Sequence, residues 1–357
     1  MTTTNTTLSG AVLIHTHGIG GIDYSSMTPN DLHTVERLAA ERGLHVVPGV
    51  FLRQDHVDGF AELVRWYSER REEFPHILGF SVEGPLLGRS GGVPPRGIWS
   101  PNAEQWAKIA GLGGHGLRYV VIAPDGGDLD DHLEHDITFR DIVDLFCADG
   151  VRLALGHFRH DHPRTSADRT AAVIDYVHGR CGDGADVILT DHLFNDMPRN
   201  FRHVWRTARD RVDRQRQLTE FLSVPWTDAN LDDVLGPVPA CIVRAAAADA
   251  IMPFLNFDGD HVDLEICRRT LDHLGPDRVI GITDDTESPA LAGEDLAQRE
   301  GNGLWYRSDG IVAAGTGHIG RQHDNLAAIG YAHAAGKLFH DNQLRALVPL
   351  PVAQGAR

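Results

Sequence analysis

Short runs of Val, Ile and Leu alternate along this chain with longer stretches in which apolar residues recur at helical spacing. The first pattern belongs to strands buried on both faces, the second to amphipathic crossover helices. Eight apolar runs stand out, at residues 11–17, 44–50, 77–83, 119–124, 152–157, 186–192, 251–258 and 279–284. Helices are predicted between them at 29–42, 56–71, 102–110, 139–149, 169–179 and 263–274. Eight β/α units that close on themselves make a TIM barrel, so an α/β chain folded as a (β/α)8 barrel is expected. A doubly wound open sheet is the alternative, but such sheets usually carry fewer strands and one ligand crevice. Residues 198–248 are too many for a simple crossover and are predicted to hold a helical excursion, 204–221, over the barrel mouth. The chain thus divides into a polar arm (1–10), a barrel domain (11–340) and a tail (341–357).

In a TIM barrel the active site lies where the strands end, so polar residues that close apolar runs are the candidates. His15 and His17 close the first run, Glu83 the third, His157 the fifth, His192 the sixth, Asp258 and His261 the seventh and Asp284 the eighth. Each has a plain structural explanation. Two of 21 histidines can fall two apart by chance, His157 and His192 can be satisfied core residues, and Glu83 or Asp284 can cap a turn or helix. Taken together, coincidences at one end of one barrel are far less probable than a metal site. Residues i and i+2 of a strand share a face, which suits His15 and His17 to one ion. Two centres can be drawn, one from His15, His17 and Asp284 and a second from His157 and His192, with Glu83 bridging them. Zinc suits this donor set, and iron, manganese or cobalt accept the same ligand types. Asp284 can then take a water's proton and pass it to a leaving nitrogen.

Composition narrows the class. The 357 residues, 42% hydrophobic, suffice for a large core, and a net charge of −17 disfavours a protein that tracks a phosphate backbone. No apolar stretch reaches the roughly 20 residues of a membrane span and residues 1–10 carry no leader pattern, so a cytoplasmic protein is expected. Cys147, Cys181, Cys241 and Cys267 form no CxxC pair and are read as buried free thiols. Lysine occurs only at Lys108, in a predicted helix, and Lys337, so a carboxylated lysine bridging two metals at a strand end is not expected.

These residues resemble the N-acetylglucosamine-6-phosphate deacetylases of the amidohydrolase superfamily. The resemblance rests on His15-Thr-His-Gly18, Val82-Glu-Gly-Pro-Leu86, Ala123-Pro-Asp125, Gly156-His157, Asp191-His-Leu-Phe-Asn-Asp-Met197, Asp258-Gly-Asp-His261 and Gly281-Ile-Thr-Asp284, in the family's order. It implies that Glu83, His157 and His192 are metal ligands, and that His15 and His17 form the second site seen in part of the family. It further implies that Asp284 is the acid/base, that His261 contacts the sugar or polarises its amide, and that Asn195 lines the substrate pocket.

The chain departs from the family in three places. Little sequence precedes the first strand or rebuilds a small β-sandwich after residue 338, so a barrel without that accessory domain is expected. The stretch ending at Arg96 lacks a family histidine that reads the sugar. Asn195 is followed by Asp196 where the family has Ala, which sets a carboxylate beside any substrate phosphate. Arg96, Asp196 and Arg202 are carried as candidate substrate contacts, with Arg199 and Arg202 placed to offset that charge. Arg202 lies near where the family's arginine reaches a neighbouring subunit, which implies a homodimer. The leading expectation is a metal-dependent hydrolase that removes acetyl from the nitrogen of an amino sugar or a related small polar metabolite. Deamination or ring opening of a heterocycle is the second, although Gly156-His-Phe-Arg-His160 lacks the acid that deaminases carry after strand five. A non-catalytic binding barrel is the third, and no expected ligand is missing.

Overall fold

A computed structural model describes residues 10–201 and 208–350. Eight parallel strands, β1 (Ala11–Thr16), β2 (Leu44–Val50), β3 (Phe80–Glu83), β4 (Leu117–Ile122), β5 (Arg152–Leu155), β6 (Leu189–His192), β7 (Met252–Asn256) and β8 (Ile280–Ile282), lie side by side in chain order. The first and last meet just beyond the assigned strands. The Asp284 amide donates to the His15 carbonyl (3.0 Å) and the His17 amide to the Asp285 carbonyl (2.8 Å). The chain is a (β/α)8 TIM barrel, and no separate sandwich domain accompanies it among the described residues.

Alternation along each strand divides two cores. Val12, Ile14, Val47, Tyr119, Val121 and Phe254 fill the barrel interior. Leu13, Val46, Val120, Leu153, Ile188 and Leu255 face the surrounding helices. The helices begin and end where the sequence supplies chemistry for it. In α1 (Pro29–Arg42), Thr28 and Asp31 form a capping box, Pro29 sets the first turn and Gly43 closes the helix in the left-handed region. The same box, Thr138 with Asp141, starts α4 (Phe139–Ala148). Between these lie α2 (Val57–Glu69) and α3 (Ala103–Ala110), and α5 (Pro163–Cys181) follows β5.

Two excursions crown the barrel. Between β6 and β7 run α6 (Ala208–Leu222), α7 (Leu231–Leu235) and α8 (Pro237–Ala247), before α9 (Leu264–Leu274). The second, which the hydrophobic pattern did not reveal, follows β8 as three short antiparallel strands, Ala297–Gln298, Leu304–Tyr306 and Val312–Gly315. Gly315 pins it by donating to the Asp284 carbonyl (2.6 Å), and the Asp260 carboxylate holds it through the Gly303 amide (2.7 Å) and Arg321 (2.6 Å). After α10 (Ile319–Ala328), the segment read as a tail contains α11 (Asn342–Leu347). Its Ala346 and Leu347 join the interior core, and Asn342 bonds the Pro276 and Val279 carbonyls at 2.8 and 2.7 Å, closing the end opposite the mouth.

No described helix is long and apolar enough to cross a membrane. The expectation of four free thiols is corrected at one pair. Cys147 on α4 and Cys181 at the end of α5 are joined as a disulfide with Cα atoms 5.8 Å apart, while Cys241 and Cys267 remain free. The pairing is invisible in spacing because it is made by two neighbouring helices docking side by side. The bond closes a loop across 34 positions, so Cys147→Ser is expected to lose about 2–4 kcal/mol of stability, read from denaturant unfolding with and without reductant.

Candidate active site

The strands deliver their terminal side chains to the mouth by three routes. Glu83, Asp258 and Asp284 arrive by simple alternation from inward-facing neighbours on β3, β7 and β8. His15 does not, since alternation from Leu13 would turn it toward the helices. The β1–β2 register slips between Leu13 and Thr16, and this brings His15 and His17 inward. His157 is redirected by a left-handed backbone (φ 51°), and Asp284 and Asp196 also sit at positive φ (45° and 39°). Strained backbone at non-glycine residues concentrates at functional sites, because the surrounding packing has to hold it.

The imidazoles are oriented from behind. The His15 Nδ1 donates to the Tyr119 hydroxyl (3.1 Å), which itself donates to the Ile14 carbonyl (2.8 Å). Nδ1 of His17 donates to the Gly49 carbonyl and Nδ1 of His157 to the Arg89 carbonyl, both at 3.2 Å. A carbonyl only accepts, so in the neutral ring Nε2 is left as a lone-pair donor, the arrangement of metal-ligating histidines. All three Nε2 atoms, with that of His192, converge on Glu83. Its Oε2 lies 3.3 and 3.2 Å from His15 and His17, and its Oε1 2.7 and 3.7 Å from His157 and His192. Asp284 adds Oδ1 at 3.4 Å from His17 and Oδ2 at 3.5 Å from His261.

One member of the cluster was missed by the sequence reading. Asp191 is fully buried, with Oδ2 3.1 Å from Nε2 of both His157 and His192 and Oδ1 3.5 Å from His15. Alternation from Leu189 would have found it, whereas His192 comes inward only because the β6–β7 register slips between Leu189 and His192. The strand-end rule picked the last residue and passed over the one before it.

Electrostatics mark the cluster as a place for cations. Burial lowers an imidazole pKa, yet the Asp284 and Glu83 carboxylates outweigh it and hold His17 up to about 10. His192 is likewise pushed up to about 10 against burial, by Asp191 and Glu83. Burial raises a carboxyl, but contact with the four imidazoles holds Glu83 well below its ordinary range, and His17 and His261 hold Asp284 down to about 2. His15 Nε2, Glu83 Oε2 and both Asp191 oxygens are buried without a hydrogen-bond partner. Orphaned donors and acceptors of this kind are costly unless a cation satisfies them. The groups Glu83–His157–Asp191–His192, His15–His17–Glu83 and His15–His192–Asp284 each bring their atoms within 4.8 Å of one another, so the donor set fits divalent metal.

Above the cluster opens a cavity of about 390 Å³. His261 projects into it, its Nδ1 tied to Asp258 (2.6 Å), which bonds the backbone of Asp260 and His261 and is itself bonded from its amide to Asn256. Burial lowers His261, but Asp258 outweighs it and brings the ring to about 9. Asn195 lines the wall with a buried, unpartnered Nδ2. Asp196 lines it too, its carboxylate packed so closely on Gly91 that a Cβ there would lie 2.0 Å from Oδ2. Arg89, His160 and Arg199 line the cavity beside Asp196, and Ile311–Ala313 of the second excursion complete it. Arg96 is not brought to this cavity: its exposed guanidinium pairs with Asp55 at 2.7 Å. Arg202 lies outside the described residues.

No family model matches the chain, and no curated protein matches its sequence. Solved structures do. An N-acetyl-D-glucosamine-6-phosphate deacetylase from Mycobacterium smegmatis, in complex with N-acetyl-D-glucosamine-6-phosphate, superposes with a TM-score of 0.66 at 21% identity, covering 98% of this chain and 80% of that one. The chain has the fold of these deacetylases. Those of Pasteurella multocida (TM-score 0.68, 15% identity, 95% of this chain and 76% of that) and Thermotoga maritima (0.62, 15%, 95% and 78%) agree. At such identities the likeness is one of architecture.

Asp285 provides a test of how the two faces of the β8 terminus differ. It turns away from the cluster into a separate buried wall, where burial pushes its carboxyl up to about 6 despite bonds from Thr283 and Thr16. A carboxyl raised on folding makes the native state bind more protons, so it subtracts stability above its folded pKa and the deficit fades as pH falls from about 6 toward 4. Asp285→Asn is expected to keep or gain stability at pH 8, by about 1–3 kcal/mol, and to gain little at pH 4. Urea unfolding at both pH values measures this.

Proposed function

We propose that this protein is a metal-dependent amide hydrolase that removes an acetyl group from the nitrogen of an amino sugar or a closely related small polar metabolite. The observation that carries the reading is the convergence of four imidazole Nε2 atoms on the two oxygens of Glu83, directly beneath Asp284 and His261. His15, His17, Glu83, His157 and His192, with Asp284, would hold one or two divalent ions, zinc above all or iron, manganese or cobalt. Bound there, such ions polarise an amide carbonyl and bring a water's pKa to roughly 7.

The chain's own groups then divide the proton work. Asp284, ionised at neutral pH, accepts the proton of the attacking water and returns it to the nitrogen as the C–N bond breaks, since an amine leaves readily only when protonated. His261, its ring fixed by Asp258, presents Nε2–H to the carbonyl or a neighbouring hydroxyl. Asn195 offers an unpartnered amide to the substrate. Asp196 favours a neutral, hydroxylated part of the substrate nearby, while Arg89 and Arg199 favour an anionic one. An N-acetylated sugar with and without a phosphate separates these two influences. The same machinery could open a cyclic amide, an outcome in which no acetate forms.

Purified protein loaded with zinc or manganese should release acetate rather than ammonia from a panel of N-acetylated sugars, phosphorylated and free. A panel without turnover, or ammonia release alone, would overturn the deacetylase reading. Asp284→Asn is expected to keep metal at the Glu83, His157 and His192 centre while kcat falls by about 10² to 10⁴, whereas Asp285→Asn changes kcat little. His157→Ala and His192→Ala should lose metal and turnover together with the fold intact, and the His15→Ala, His17→Ala double variant should lose about one equivalent of metal. Metal analysis on the same samples as the rates decides between these roles.

A further inference from the structure

Asp191 repeats, on a second carboxylate, the division of oxygens seen at Glu83. Glu83 turns Oε1 to His157 and Oε2 to His15 and His17; Asp191 turns Oδ2 to His157 and His192, both at 3.1 Å, and Oδ1 to His15 at 3.5 Å. We infer that Asp191 is a second bridging carboxylate, so that the mouth of this barrel is a binuclear divalent-metal site closed from both sides, by Glu83 and Asp191. The inference rests on the metal-dependent reading above and adds to it a ligand, a stoichiometry and a geometry.

Two observations carry it. Asp191 is wholly buried, and among the described residues its oxygens face imidazole Nε2 atoms, His157 and His192 at 3.1 Å and His15 at 3.5 Å, so its desolvated charge is offset only by a proton or a cation held at those atoms. Its seat is built: the adjoining strand end carries Gly156, where a Cβ would lie 2.3 Å from the Cβ of Asp191, so no larger residue fits while Asp191 points inward. The chain has no lysine near the mouth to serve as a carboxylated bridge, Lys108 being on the outer helix α3 and paired with Asp58. A second bridge from Asp191 meets the same need with a residue fixed in the strand.

The test uses the full chain stripped of metal by chelation and then titrated with manganese(II), followed by calorimetry and electron paramagnetic resonance. Wild type is expected to bind two equivalents and to give the multiline spectrum of an exchange-coupled pair. Asp191→Asn, close to isosteric, should bind the second ion at least about 10²-fold more weakly and show the six-line signal of an isolated ion. Glu83→Gln should weaken both ions. Two tightly bound, coupled ions in Asp191→Asn would overturn the inference, as would a single equivalent in wild type, and in either case the hydrolase reading survives. No manganese binding at all in wild type would overturn both. Should Asp191→Asn fail to fold, anomalous diffraction from manganese-loaded wild-type crystals decides: two peaks with one Asp191 oxygen on each support the bridge, and peaks that leave Asp191 uncoordinated refute it.

Discussion

The barrel closes through two backbone hydrogen bonds between the ends of β1 and β8, from Asp284 to His15 and from His17 to Asp285. Everything at the mouth depends on this seam. It joins residues almost 270 positions apart, sets Asp284 against His17, and presents Asp285 to the opposite side. The antiparallel excursion after β8 is tied to the same place, since the carbonyl of Asp284 also accepts from Gly315. The two seam carbonyls also accept from threonine hydroxyls, Thr16 to Asp285 (3.2 Å) and Thr283 to His15 (3.4 Å), so the histidine and carboxylate side chains are not spent on closure and are left for the mouth.

Around the seam the molecule concentrates groups that cost free energy to bury. Carboxylates and imidazoles at the mouth are removed from water and can be tolerated only if they neutralise one another or a cation. The protein spends its ordinary polar contacts behind this layer. Tyr119, the Gly49 and Arg89 carbonyls, and Asp258 hold four of the rings by Nδ1, so that their Nε2 atoms are the ones turned toward the carboxylates of the mouth. A site held from behind in this way is organised before a ligand arrives.

The two excursions turn a barrel end into a cavity. The helical one between β6 and β7 follows the wall that bears Asn195 and Asp196, and the strands after β8 bring Ile311, Val312 and Ala313 over the top. The described barrel thus encloses its site with segments inserted after its own strands. The helix that closes the opposite end does so with its own apolar residues, keeping the interior dry from below.

Period and punctuation in the sequence were enough for the barrel, because alternating apolar runs and capping boxes are local properties: residues 29–42 form a helix whose Thr28, Pro29 and Gly43 say where it starts and stops. Glu83 and Asp284 were legible for the same reason, following the phase of their strands, and His15 with His17 by their spacing. Asp191, the Cys147–Cys181 bond and the strands at 297–315 were not found that way. Asp191 keeps the phase of Leu189 and was passed over for the residue after it, which only a slip of register on β6 turns to the same face; a disulfide needs two helices to dock, and short strands at the mouth are held by Asp260 and Gly315 rather than by their own pattern. The sequence by itself determined the fold and which side chains stand at most of the strand ends. Only the tertiary structure decided which neighbouring side chains face each other there, because facing is set by register, backbone hand and closure, which arise between segments distant in the chain.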